Sequence, residues 1–64
     1  MNVQLDEGNR KEAFLMLVGL QDRGQNVEES REEVATFYGI RVAEVVSIEH
    51  EGLEKSWPPL EDAK

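Results

Sequence analysis

Apolar side chains recur along this chain every three or four residues, the spacing that stacks them on one face of a helix. Between residues 10 and 23, Ala13, Phe14, Met16, Leu17, Val18 and Leu20 share a broad stripe, with Leu15 and Gly19 on the other side. Asn9 stands where an N-cap is needed, and Glu12 follows at capping-box spacing. Gly24 supplies the left-handed residue that ends such a helix, and Arg23 complements its C-terminal dipole. Residues 1–9, holding Asp6, Glu7, Gly8 and Asn9 without periodic hydrophobicity, read as a flexible lead-in.

Two starts fit the second helix: Asn26 with Glu29 three residues on, or Ser30 with Glu33 three residues on. The later start is adopted, giving a helix over about 31–38 whose length before Gly39 suits the motif described below. Val34, Ala35, Phe37 and Tyr38 form its apolar face, Gly39 breaks it where a positive φ is required, and Ile40 turns inward. A third helix is expected over 42–55, where Val42, Val45, Ile48, Gly52 and Leu53 recur at helical spacing. The β-branched stretch from Val42 to Ile48 also suits a strand, and the Glu-rich continuation decides for the helix. Trp57-Pro58-Pro59-Leu60 ends it, because proline has no amide donor and pushes its predecessor out of helical geometry. Trp57 and Leu60 are expected to fold back over helices one and three; the rival is a stiff proline-rich ligand for another protein. The expectation is an all-α fold: one three-helix domain over residues 10–60, with a C-terminal Trp-Pro-Pro-Leu tail and a frayed end at 61–64.

Ala35, Gly39, Val45 and Ile48 stand at the spacing of a helix-turn-helix. Alanine permits close approach of two helices, glycine makes the turn, and Val45 with Ile48 bury the second helix on the first. An ordinary helical hairpin in a three-helix bundle is the plainer reading of the same four residues. Together with Glu32-Glu33-Val34-Ala35, Phe37-Tyr38-Gly39-Ile40, Ile48-Glu49, Leu53 and Lys55, the pattern resembles region four of bacterial sigma factors over about residues 30–57. The resemblance implies a role in bacterial transcription, with the helix pair docking on promoter DNA and the region touching the RNA polymerase flap. At the start of the reading helix, where that family carries Arg, Glu and Gln, this chain has Val42, Ala43, Glu44, Val46 and Ser47. Arg41, Val42, Glu44, Val46 and Ser47 are therefore the candidate contacts to DNA or a partner, on a scaffold of Ala35, Gly39, Val45 and Ile48.

Charge shifts the balance between those two ligands. The 64 residues hold 14 Asp plus Glu against 7 Lys plus Arg, for a net charge of −7. Between residues 31 and 55, Arg31, Arg41 and Lys55 stand against Glu32, Glu33, Glu44, Glu49, Glu51 and Glu54. Binding to DNA draws much of its free energy from neutralising phosphates, so DNA is disfavoured. RNA polymerase or another transcription protein is the more compatible partner, and Leu15, with Val46 if it lies outside the helix pair, suggests an exposed apolar patch for self-association as a homodimer or for partner binding. An acidic decoy occupying the basic cleft of a DNA-binding protein is a further reading.

A chain this short is near the limit at which one core outweighs chain entropy, and it has no cysteine to staple it. No secretory signal precedes the first helix, and the apolar run from Ala13 to Val18 is far shorter than the ~20 residues of a membrane span, so a cytoplasmic location is expected. His50 lies among Glu49, Glu51 and Glu54, but a metal needs three or four converging ligands, and a solvated helix face is the simpler expectation. Ser30, Ser47 and Ser56 have no base nearby in sequence. No cofactor, metal or catalytic residue is expected, and no enzymatic activity.

Overall fold

Asp6, rather than Asn9, begins the first helix: its Oδ1 accepts the Asn9 amide at 2.8 Å. The computed structural model describes residues 5–58 and 60, and over these the chain forms α1 (Glu7–Asp22), α2 (Val27–Tyr38) and α3 (Val42–Lys55), with no strand among the described residues. Asp6 and Asn9 both satisfy N-cap spacing, and long-range contacts select the earlier one. Leu5 packs on the core, while Arg10 donates to the Leu5 carbonyl at 2.9 Å and pairs with Glu51 of α3. The expected lead-in over 1–9 thus gives way to helix from Glu7. Residues 1–4 of it, the frayed end at 61–64 and Pro59 lie outside the described residues.

α2 also starts earlier than expected. Asn26 is its cap, accepting the Glu29 amide at 2.7 Å, and Ser30 lies one turn inside the helix, fully buried. The Ser30 hydroxyl donates to the Val27 carbonyl at 2.8 Å and accepts from Gln21 Nε2 at 3.1 Å. It is a small polar residue where α1 meets α2, with its hydrogen-bonding capacity used. α3 occupies the span expected for it, and the strand alternative for 42–48 is not what forms. Helix wins because one face of this stretch, carrying Val45 and Ile48, seals against the other two helices.

All three helices end in the same way. Just past each helix an amide reaches back five residues to a carbonyl of the last turn: Gln25 to Leu20, Ile40 to Ala35, and Trp57 to Gly52. The residue before each of those donors is left-handed, with Gly24 at φ 96°, Gly39 at 68° and Ser56 at 55°. This turn aims Ile40 and Trp57 back at the bundle. Trp57 is buried, edge-on to Phe14 with ring centroids 6.2 Å apart, and Leu60 packs partly against the same cluster.

The core joins Ala13, Phe14 and Leu17 of α1, Val34 and Ala35 of α2, Val45 and Ile48 of α3, and Trp57. Met16, Val18, Leu20, Tyr38 and Ile40 line its edge. Gly52 lets α3 approach α1, since a methyl there would overlap the Phe14 ring. Three residues expected on apolar faces are instead exposed: Phe37 to 69%, Leu53 to 56% and Val42 to 41%. Phe37 points about 160° round α2 from Ala35, off the buried edge, and Leu53 sits on the flank of α3 away from Gly52.

Candidate interaction surfaces

The Gly39-Ile40-Arg41 turn sets the direction of α3, and Glu44 fixes its first turn. Arg41 is the N-cap residue, its amide donating to Glu44 Oε1 at 3.1 Å. Glu44, proposed from sequence as a contact, therefore spends a carboxylate oxygen on capping its own helix. Ala35, Val45 and Ile48 meet in one core cluster, and Gly39 stands exposed at the turn with the positive φ expected of it.

The five candidate contacts do not form one patch. Arg41 is exposed at the start of α3. Glu44 and Ser47 line an open groove of about 290 Å³ with Leu5, Ile40 and Ile48, closed on one side by the Arg10 and Glu51 pair. Val42, exposed to 41%, and half-buried Val46 lie on the opposite flank, toward α2. That flank continues through Glu49 to Leu53 at helical spacing, an apolar stripe interrupted by one carboxylate.

Glu49 is not available as a free charge. Arg31 of α2 donates to it through Nε at 3.0 Å, with Nη2 at 2.9 Å, joining α2 to α3. Val27 and Leu53 each stand one turn beyond this pair, away from the Gly39 turn, and both are exposed. On the other side of α3, Glu51 accepts from Arg10 Nε at 2.9 Å and Nη2 at 3.2 Å, and from Lys55 Nζ at 3.0 Å. The Arg10 hydrogen bonds, with help from Lys55, hold the Glu51 carboxyl below its ordinary value. Lys55 Nζ also lies 5.7 Å from the centroid of the Trp57 ring. Burial raises the Tyr38 phenol, with a smaller push from Glu12.

Sequence reasoning did not find these ion pairs, because the partners are far apart along the chain and no local spacing signals them. They matter for the surface: Arg10, Arg31 and Lys55 each have a carboxylate partner within the fold. His50 is exposed between Glu49 and Glu51, whose carboxylates are engaged by Arg31 and by Arg10 with Lys55. Among the described residues no group of His, Cys, Asp and Glu converges as a metal site, and no helix is long and apolar enough to cross a membrane. No family model matches the chain, and no curated protein or solved structure matches it.

Proposed function

We propose that this chain is a small helix-turn-helix domain of bacterial transcription that works by docking on a protein of the transcription machinery through α2 and α3, with no base reading of its own. The resemblance of residues 30–57 to sigma region four supplies the setting. The observation that carries the mode of action is the outward flank of α3, where Val42 and Leu53 are exposed on either side of the internally paired Glu49. A DNA reader needs donors and cations at those positions. Here the flank offers apolar area, extended across the Arg31 and Glu49 pair by Val27, which suits the apolar centre of a protein interface.

The test is a titration of labelled domain with purified bacterial core RNA polymerase, beside random duplex DNA. Saturable binding to polymerase is expected, weakened by Val42→Glu and Leu53→Glu, two exposed positions whose substitution leaves the core intact. Binding to duplex DNA that these variants leave unchanged, with none to polymerase, would overturn the proposal. Sedimentation of the domain alone separates docking from homodimer formation on the same flank.

A further inference from the structure

We propose that a second surface, the groove between α1 and α2, is a docking site for a Lys/Arg-rich amphipathic segment of a partner protein. The groove, of about 520 Å³, has Met16 and Phe37 as its apolar part and Glu29, Glu32 and Glu33 as its rim. Every charged side chain lining it is a carboxylate. Glu29, Glu33 and Phe37 succeed one another at four-residue steps along one ridge of α2, and Glu32 with Thr36 forms the next. Among the described residues the hydrogen bond across this rim comes from a neutral donor, Gln25 Nε2 to Glu33 Oε1 at 3.0 Å, which leaves the carboxylate charge in place.

Phe37 is the most exposed large apolar side chain described, at 69%, and its ring is set edge-on against Tyr38 at 5.0 Å between centroids. An exposed, positioned aromatic beside Met16 and ringed by one sign of charge is complementary to an apolar anchor flanked by cations. The like charges on successive turns of α2 repel one another in the free protein, and a cationic partner relieves that repulsion on binding. A second copy of the chain is the wrong occupant on charge, since it brings a net −7 to an already acidic rim. This surface lies on α1 and the outer side of α2, and it stands independently of the flank of α3.

The experiment uses a fluorescently labelled amphipathic Leu/Lys helical peptide, a scrambled peptide of the same composition without an apolar stripe, and a Leu/Glu counterpart. The Leu/Lys peptide is expected to bind by anisotropy, more weakly as salt is added, with amide shifts mapping to Met16, Gln25 and Phe37. Phe37→Ala is expected to weaken it about tenfold or more, and Thr36→Lys, at an exposed position that leaves the core untouched, to weaken it as well. The doubly substituted Glu32→Lys, Glu33→Lys chain is expected to lose the Leu/Lys peptide and gain the Leu/Glu one. Equal binding of the scrambled peptide, or affinity indifferent to both Phe37→Ala and Thr36→Lys, would overturn the proposal. A dimer in sedimentation that depends on Phe37 would assign the groove to a second copy and overturn it too.

Discussion

At the residue scale, glycine and serine at two positions carry opposite lessons about substitution. Gly52 lies in the last turn of α3, still within the helix, where alanine is ordinarily the better residue by about 1 kcal/mol. Its missing methyl is the space that the Phe14 ring occupies, and that ring in turn supports Trp57. Gly52→Ala is therefore expected to destabilise the domain by about 1–3 kcal/mol through overpacking, against its helix propensity, as read by thermal melting. Ser56 is left-handed at φ 55°, where a Cβ is crowded and glycine is not. Ser56→Gly is expected to raise the melting temperature, with a gain of about 0.5–1 kcal/mol after the extra freedom of glycine in the unfolded chain is discounted. A lower melting temperature would mean that the Ser56 turn is not strained.

At the scale of the element, the helix starts are where local pattern offered too many answers. Asp6, Asn9, Asn26 and Ser30 are all good cap residues with suitable neighbours. The structure uses Asp6 and Asn26, so Asp6→Ala and Asn26→Ala should each cost about 1 kcal/mol in urea unfolding, while Asn9→Ala should be close to neutral. Between elements, the Glu51 carboxyl is lowered by Arg10 and then by Lys55. A carboxyl held below its unfolded value adds stability that is complete above the ordinary glutamate range and is lost as pH falls through the lowered folded value. Glu51→Gln should melt lower than the parent at neutral pH, and the gap should close on acidification. A gap that stays constant with pH would remove the ionised pair as its cause.

At the scale of the whole molecule, charge and fold make separate statements about partners. The helices are placed by the core, which says nothing of the ligand, while the surface holds a net −7 and binds Arg10, Arg31 and Lys55 internally. A duplex meeting this domain finds few cations with which to displace its counterions. The domain alone is therefore expected to bind random duplex DNA with a Kd above about 10⁻⁴ M at physiological ionic strength, measured by anisotropy. Tighter binding with a steep salt dependence would show that the Lys and Arg side chains outweigh the net charge.

The all-helical class, the ends at Gly24 and Gly39, the full extent of α3 and the burial of Trp57 were legible in the sequence. The first three depend on interactions within a turn or two of chain, namely apolar periodicity, a left-handed residue, or a proline that stops a helix; Trp57 was legible because so small a core needs its area, although its partner Phe14 is distant in the chain. The choice of Asp6 over Asn9 and of Asn26 over Ser30, the exposure of Phe37 and Leu53, and the Arg10 and Arg31 ion pairs belong to the tertiary structure. So does the division of the candidate contacts, with Glu44 and Ser47 on one side of α3 and Val42 and Val46 on the other. Local spacing leaves competing caps and neighbouring apolar positions nearly equal in free energy. Contacts between residues distant in the chain, such as Arg10 with Glu51, Gln21 with Ser30 and Phe14 with Gly52, break that near-equality, and they exist only once the three helices have packed.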